Sequence, residues 1–220
     1  MVTLHYLPLN AKSNVPKAIL NYAKVDFKLN TYSFDELNLI KKNDPTKFEY
    51  QQLPVLEIDG FKLSQAKSIS MYLSKKYNLY GDNDKESALI QSIFDSYEDF
   101  WVKFRNVVFP LNKYEEENKE NFKKQFFEIE AEKYLKIYER RLVSNGKKHM
   151  VGTRFSSADI WIACVMHNLF KHPIRKIEYE PLIKKHTPVL NEFVDNIVSN
   201  ELKWHYSKLN PNSFSEKYIV

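Results

Sequence analysis

Three polar side chains stand where a folded chain could present them to a ligand. Tyr6 ends a predicted strand, Ser13 precedes a predicted helix, and Gln65 begins another helix. A hydroxyl that donates a hydrogen bond to an anion stabilises the charged form and lowers the pKa of that group. The unpaired N–H groups and the dipole of a helix N-terminus favour a carboxylate. These residue types therefore suit chemistry on an anionic ligand.

Metal and disulfide chemistry have little support in the sequence. The six histidines form no i,i+4 pair and have no cysteine neighbour, so we expect no metal site. Cys164 is the one cysteine, which excludes a disulfide within the chain. Its position in an apolar helix predicts a core residue. Without a Cys-x-x-Cys motif, thiol–disulfide exchange is not expected.

The composition favours a soluble, cytoplasmic protein. A net charge of +5 over 220 residues, with lysines scattered among acids, fits a solvated surface and predicts no nucleic-acid groove. Asn10, Lys12 and Asn14 interrupt any apolar run near the N-terminus, so we expect no signal peptide. The most apolar predicted helix, residues 160–169, is far shorter than the ~20 residues that span a membrane, so no membrane partner is expected.

The stretch 51–77 is the element that positions Gln65. An apolar strand follows Pro54, Asp59 and Gly60 predict a tight hairpin turn, and a helix with an apolar stripe follows Gln65. Pro54 predicts an edge strand or a special, cis bond before it. Upstream, residues 2–7 and 28–34 are predicted strands, joined by a helix that Ser13 or Asn14 can cap, and residues 35–42 are a weak helix. The predicted order is βαβαββα.

The second part of the chain is predicted to be helical throughout. Residues 78–85 are the predicted linker, which divides the chain into domains 1–80 and 81–220. Long aromatic stripes at helical spacing follow it. Ser156 and Asp159 form a capping box before a helix that is apolar on nearly every side, so this helix should be the buried centre of the second domain.

Four motifs in this order resemble the glutathione transferases, most closely their sigma class. They are Thr3-Leu4-His5-Tyr6, Gln52-Leu53-Pro54-Val55-Leu56 followed by Asp59-Gly60 and Ser64-Gln65, the loop 142–152, and Ser156-x-Ala158-Asp159. The resemblance implies a thioredoxin-like N-terminal domain and an all-α C-terminal domain. It also implies a homodimer that conjugates glutathione to small hydrophobic electrophiles in detoxification. Glutathione would be a co-substrate, and no cofactor is expected.

The resemblance also assigns roles to single residues. Tyr6 matches the tyrosine whose hydroxyl stabilises the glutathione thiolate. The positions that it assigns to glutathione binding are Tyr6, Lys12, Gln52, Leu53, Pro54, Gln65, Ala66 and Asp99. Pro54 matches a cis-proline, and Asp99 an acid that reaches the neighbouring subunit's ligand. Lys12 replaces an arginine, and Ala66 replaces a serine that donates to the γ-glutamyl carboxylate, so both depart from the family pattern.

The electrophile pocket is expected between Leu7 and the first long helix, where Trp101, Phe104 and Arg105 are the candidates. Three alternatives remain open from the sequence. The chain could be a prostaglandin-D-synthase-like isomerase that uses the same thiolate. Ser13, in a motif that resembles the serine of the theta and delta classes, could replace Tyr6. The substitutions at Lys12 and Ala66 could also mark a non-catalytic binding or structural protein.

Overall fold

The computed structural model describes residues 1–108, 118, 121, 124–172 and 176–208, without the side chains of residues 105–108, 176 and 178. Its N-terminal part contains a four-stranded mixed sheet in the order β2-β1-β3-β4. The strands are β1 (Val2–Tyr6), β2 (Phe27–Thr31), β3 (Val55–Ile58) and β4 (Phe61–Ser64). β1 runs parallel to β2 and antiparallel to β3, and β3 pairs antiparallel with β4.

Three helices complete this part of the chain. They are α1 (Asn14–Tyr22), which follows a 3₁₀ turn at Ala11–Ser13, α2 (Phe34–Asn43) and α3 (Ala66–Lys76). All five residues of β1 are buried, as expected for a central strand that is covered on both faces. Leu4 packs with Ile19 of α1 and Leu73 of α3 in the main core, whereas Leu37 of α2 belongs to a smaller cluster with Val55. The predicted βαβαββα order is confirmed.

The hairpin between β3 and β4 follows the predicted turn. Ile58 pairs with Phe61, so Asp59 and Gly60 are the two turn residues. Both have positive φ, +52° and +78°, which is the geometry of a type I′ turn. The bond between Leu53 and Pro54 is cis. β3 lies between β1 and β4 and is therefore not an edge strand. Of the two structures that Pro54 predicted, an edge strand or a cis bond, the cis bond is confirmed.

Two local predictions were inaccurate. The strand predicted over residues 28–34 ends at Thr31, because Ser33 instead caps α2 in a capping box with Glu36. Ser13 stands at the N-cap position of α1, but its side chain makes no capping hydrogen bond. Its hydroxyl instead donates to the carbonyl oxygens of Asn10, at 2.9 Å, and Leu9, at 3.2 Å.

The remaining described residues form a helical part, as predicted. Its helices are α4 (Asp84–Val108), α5 (Ala131–Ser144), α6 (Ser157–Met166), α7 (Lys176–His186), α8 (Pro188–Ser199) and α9 (Lys203–Lys208). A π-helical turn precedes α5 at Gln125–Glu130, and another follows α6 at His167–Lys171. Every residue of α6 is buried. The thioredoxin-like sheet followed by an all-helical unit is the predicted fold.

Candidate active site

Tyr6 lies at the end of β1 with only 5% of its surface exposed. The backbone N–H of Lys12 donates a hydrogen bond to the Tyr6 hydroxyl oxygen at 3.1 Å. Because that oxygen accepts from Lys12, the hydroxyl's own proton stays available to another acceptor. Burial raises the pKa of Tyr6 to about 12, against the opposing effect of the Lys12 hydrogen bond. Tyr6 is therefore a protonated donor at neutral pH.

Lys12 joins the loop after β1 to the inner face of α4. Its ammonium Nζ lies 3.0 Å from Glu98 Oε2 and 5.7 Å from the centroid of the Trp101 ring. The two charged side chains are each about one-third exposed, so the ion pair is partly screened by water. Neither the pairing with Glu98 nor the contact with Trp101 was predicted, because the residues are more than 80 positions apart in the sequence.

Further residues predicted to bind glutathione lie just before β3, at Gln52, Leu53 and Pro54, and at the start of α3. Gln65 is the N-cap residue of α3 and has a φ of +74°, in the left-handed region. Its side-chain Nε2 donates to Gln52 Oε1 at 3.3 Å. Gln52 therefore lies next to the helix N-terminus, just before Leu53 and the cis-Pro54.

A cavity of about 30 Å³ lies between the start of α1 with the 3₁₀ turn before it, the start of α3, α4 and α6. Its lining includes four residues predicted for the site, Lys12, Ala66, Trp101 and Phe104. The other lining residues are Ala11, Asn14, Val15, Tyr97, Glu98, Trp161, Cys164, Val165, Asn168 and Leu169. Those of α6 and the π-helical turn after it were missed, because an all-apolar helix predicts burial and gives no sign of a pocket.

The remaining predicted site residues are placed elsewhere. Leu7 lines a different cavity, together with Asn10 and Lys17. The Arg105 side chain lies outside the described residues. Asp99 is exposed on α4, and it makes no salt bridge among the residues that the structure describes. A second chain could therefore reach its carboxylate.

Cys164 of α6 is fully buried beneath the first cavity. Burial raises the pKa of its thiol to about 12. The thiol therefore remains protonated, in agreement with the core role predicted for it.

Within the described part of the chain, no group of histidine, cysteine and acidic side chains could hold a metal ion. Among the same residues, no helix is both long and apolar enough to cross a membrane.

Family models and curated relatives match most of the chain. Residues 2–75 match the family model of the glutathione S-transferase N-terminal domain, and residues 98–203 that of the C-terminal domain. Glutathione S-transferase 1 of Ascaris suum is 31% identical over 159 residues, which cover 72% of this chain and 75% of the relative. Human glutathione S-transferase A2 is 30% identical over 181 residues, 82% of this chain and 79% of that protein.

Solved structures share the fold over nearly the whole chain. A glutathione S-transferase of the hookworm Necator americanus superposes with a TM-score of 0.82 at 25% identity, covering 95% of this chain and 98% of that one. A sigma-class enzyme of Fasciola hepatica gives a TM-score of 0.74 at 22% identity, covering 96% and 98%, and at that identity it supports the fold alone. With two family models matched in order and relatives at 30% and 31% identity, the chain belongs to the glutathione S-transferase family and is a glutathione transferase.

Proposed function

We propose that this transferase conjugates glutathione to small hydrophobic electrophiles, with Tyr6 as the residue that stabilises the thiolate. A free thiol has a pKa of about 8.5 and is mostly protonated at neutral pH. A hydrogen bond from the Tyr6 hydroxyl favours the charged sulfur, while the thiol proton passes to water. A lone pair of the thiolate then forms the new bond to the electrophilic carbon, and in a substitution, as with a chloronitrobenzene, the carbon–chlorine bond breaks and chloride leaves. The observation that carries the proposal is the Lys12 N–H bond to the Tyr6 oxygen, since it leaves the phenolic proton free for the sulfur.

Ser13 is a poor alternative to Tyr6 in this structure. A hydroxyl has one proton to donate, and two backbone carbonyls, those of Asn10 and Leu9, already accept from Ser13. The residue is also fully buried. We therefore assign the stabilisation of the glutathione thiolate to Tyr6.

Glutathione is proposed to bind along the β3 entrance and the N-terminus of α3. Gln52, the main chain of Leu53 before Pro54, and Gln65 would hold the peptide, and the N–H groups at Ala66 would meet the γ-glutamyl carboxylate. Lys12 borders the same cavity as Ala66, which supports its place beside the ligand. Glutathione would be a co-substrate, and we propose no further cofactor.

The electrophile pocket is proposed at the aromatic wall of α4. Trp101 and Phe104 both line the first cavity, and their rings lie 5.3 Å apart. Leu7 and Arg105 complete the proposed set, although Leu7 contributes to another cavity in this structure. An aromatic wall suits flat, apolar electrophiles, as expected for a detoxification enzyme.

We further propose a cytoplasmic, sigma-class enzyme that works as a homodimer. The resemblance of the Thr3-Leu4-His5-Tyr6 strand and of the motifs around Pro54 and Asp159 supports the class, and the exposure of Asp99 supports a dimer in which it reaches the other subunit's ligand. The Necator americanus neighbour is described as monomeric, so the oligomeric state of this chain needs its own measurement.

Substitution of Tyr6 tests the assignment of the thiolate. We expect Tyr6→Phe to lower kcat several-fold or more, to raise the apparent pKa of the bound thiol, and to leave glutathione affinity nearly unchanged. The assay is conjugation of glutathione to a chloronitrobenzene across a pH series, with circular dichroism as the check on folding. Ser13→Ala is the matched control. Loss of activity in Ser13→Ala together with an active Tyr6→Phe would show that the serine is the activating residue.

A further inference from the structure

Two polar groups at the wall of the first cavity have no role in the thiolate chemistry described above. Trp161 of α6 is 2% exposed, and its indole Nε1 has no hydrogen-bond partner among the described residues. Tyr97 of α4 lines the same cavity, and its hydroxyl makes no hydrogen bond within the described part of the chain. The two ring centroids lie 5.5 Å apart, with an angle of 74° between the ring planes. Two neighbouring donors without acceptors therefore border one cavity.

The indole N–H of Trp161 is the more unusual of the two groups. Buried polar groups in proteins nearly always have a partner, and one without a partner destabilises the fold until an acceptor reaches it. The Trp161 ring has a packing role, since it stacks on Phe94 with the ring centroids 4.1 Å apart. That role does not use the N–H, which can only donate. An acceptor on a bound molecule would satisfy it.

Tyr97 is a protonated donor at neutral pH. Burial of its hydroxyl raises the pKa of Tyr97 well above its usual value of 10, and the nearby Glu98 acts in the same direction. A neutral phenol that makes no hydrogen bond has its proton available to an acceptor. Tyr97 and Trp161 can therefore donate to the same oxygen atom.

Both donors lie close to the proposed position of the glutathione sulfur. Lys12, whose backbone N–H donates to the Tyr6 hydroxyl oxygen, lines the cavity together with Tyr97 and Trp161. Tyr6 is also one of the groups that act electrostatically on the Tyr97 hydroxyl. An electrophile in this cavity can therefore present its reacting carbon to the thiolate and an oxygen atom to the two donors.

The cavity suits a neutral oxygen acceptor on an apolar body. Its volume of about 30 Å³ exceeds the roughly 10–15 Å³ that one water molecule needs, so a carbonyl oxygen fits. The charged residues of the described lining are Lys12 and Glu98, which neutralise each other in an ion pair. Much of the remaining lining is apolar and suits an alkyl chain; it includes Val15, Trp101, Phe104, Val165 and Leu169.

We propose that the Tyr97 hydroxyl and the Trp161 N–H donate hydrogen bonds to the carbonyl oxygen of α,β-unsaturated aldehydes and ketones, and that these compounds are the electrophile class that the site serves. The inference rests on the proposed transferase reaction with Tyr6. The thiolate attacks the β-carbon, and the electrons of the carbon–carbon double bond shift to give an enolate with negative charge on oxygen. The α-carbon then takes a proton from water, which balances the proton that the thiol released. Two donors at the oxygen stabilise this developing charge more than the neutral carbonyl.

The test compares trans-2-hexenal with 1-iodohexane, which have the same chain length. Both react with the thiolate, but only hexenal develops charge on oxygen, because iodohexane loses iodide. After subtraction of the spontaneous reaction, we expect Tyr97→Phe to lower kcat for hexenal at least about ten-fold, with a smaller change in KM. The rate with iodohexane should change less than about two-fold. Tyr138→Phe is the matched control and should affect neither rate, since the Tyr138 hydroxyl bonds Ser96 at 3.1 Å and Tyr138 does not line the cavity.

A second variant removes the other donor. Trp161→Phe keeps an aromatic ring against Phe94 and should also lower kcat for hexenal more than for iodohexane. If Trp161→Phe does not fold, Tyr97→Phe decides alone, because it removes only a hydroxyl group. An equal loss with both electrophiles in Tyr97→Phe, or no loss with hexenal, would overturn the proposal.

The same two electrophiles separate this inference from the proposed function. Tyr6→Phe should lower the rates with both, since both reactions need the thiolate. A wild-type enzyme that uses iodohexane and not hexenal would overturn the carbonyl site and leave the assignment of Tyr6 intact. Absence of turnover with both electrophiles would overturn the carbonyl site and the proposed conjugation together.

Discussion

At the scale of single residues, Lys12 divides its functions between main chain and side chain. Its backbone N–H donates a hydrogen bond to the Tyr6 hydroxyl oxygen, whereas its ammonium forms an ion pair with Glu98 on α4. Substitution by alanine removes the second contact and keeps the first. We expect Lys12→Ala to leave the pKa of the bound thiol unchanged, as read from thiolate absorbance against pH, and to lower stability by no more than about 1 kcal/mol. A shift in thiol pKa as large as that of Tyr6→Phe would show that the ammonium itself acts on the sulfur.

The second prediction for a single residue concerns Ala66. It is the first residue of α3 and borders the first cavity, so a hydroxyl there would face the site proposed for the γ-glutamyl carboxylate. A hydrogen bond to a charged group contributes roughly 1.5–3 kcal/mol, part of which water can supply. Ala66→Ser should therefore tighten glutathione binding by about three- to thirty-fold.

Since substrate and transition state share this contact, kcat should change little in Ala66→Ser. Calorimetric titration of wild type and variant with glutathione is the measurement. Equal affinities would mean that another group, such as Lys12 or a bound water, already satisfies the carboxylate.

The positions of Tyr6, Pro54 and Gln65 were predictable because each belongs to a short motif with a local structural consequence. The cis bond before Pro54 and the helix start at Gln65 are set by residues within a few positions. Glu98 was not predictable as the partner of Lys12, since nothing in either local sequence specifies which helix face meets the loop. The hydrogen bonds from the Ser13 hydroxyl to backbone carbonyls were not predicted for a similar reason, because they depend on the path of the loop after β1.

At the scale of elements, the two capping boxes differ in burial and should differ in their contribution to stability. Asp159 is fully buried and accepts from Met150 N at 2.6 Å, Ser156 N at 2.7 Å and Ser156 Oγ at 3.0 Å. Glu36 makes the corresponding contact with Ser33 at the exposed start of α2. Asp159→Asn places an amide N–H₂ against donors and should cost about 2–4 kcal/mol.

Glu36→Gln is the matched control and should cost much less than Asp159→Asn, since water can replace its contacts. Urea unfolding midpoints of the two variants provide the comparison. If Glu36→Gln lowered the midpoint as much as Asp159→Asn, burial would not determine how much a capping box contributes to the stability of this protein.

The order and type of the helices and strands were predictable from hydrophobic periodicity and turn residues. Their ends depend on capping residues and were predicted less accurately. The strand predicted through residue 34 ended early, because the Ser33 and Glu36 capping box begins α2 there. The short α9 was not predicted, since six residues provide less than two helical turns of pattern.

At the scale of the whole molecule, His205 connects α9 to α1 and makes stability depend on pH. Its Nδ1 lies 2.9 Å from Asn21 Nδ2, and its Nε2 lies 2.8 Å from Asn14 Oδ1. The neutral ring satisfies both contacts when Nδ1 accepts from Asn21 and Nε2–H donates to Asn14. Burial lowers the pKa of His205 to about 3, so the native state resists protonation that the unfolded chain accepts near pH 6.5.

Because the unfolded state binds the extra proton between about pH 6.5 and pH 3, stability falls as the pH falls through that window. We expect a loss of about 2 kcal/mol from this group between pH 6.5 and pH 5. His205→Gln keeps a side chain that can bond both asparagines and does not titrate. Urea unfolding at several pH values should show a shallower slope for His205→Gln, and identical slopes would contradict the role of His205.

The dimer is a further prediction at this scale. Asp99 is exposed on α4 and free to meet another chain, as the proposed homodimer requires. Light scattering at micromolar concentration should give the mass of two chains, and Asp99→Asn should weaken glutathione binding in the dimer. A single-chain mass would contradict both the shared site and the homodimer.

Four residues of the first cavity were among the predicted site residues, but the full lining of either cavity could not be predicted, because each collects residues from distant parts of the sequence. The first combines the loop after β1 with α3, α4 and α6, and the second combines Lys17 with β2 and Lys208. A lysine on a helix normally predicts a solvated surface, so only the packing of α1 reveals Lys17 as buried.

The burial of the one cysteine gives the protein an internal reporter of its own unfolding. Cys164 has no solvent-exposed surface, and the cavity of about 30 Å³ that it borders is too small for an aromatic disulfide reagent, so the reagent can reach it only when the helical unit opens. With one thiol per chain, the rate of chromophore release reports a single opening event, and its dependence on urea separates local fluctuation from global unfolding. In conjugation assays, the enzyme itself should consume almost no electrophile while it remains folded. Electrophile loss above the enzyme-free rate is therefore a direct count of catalytic turnovers.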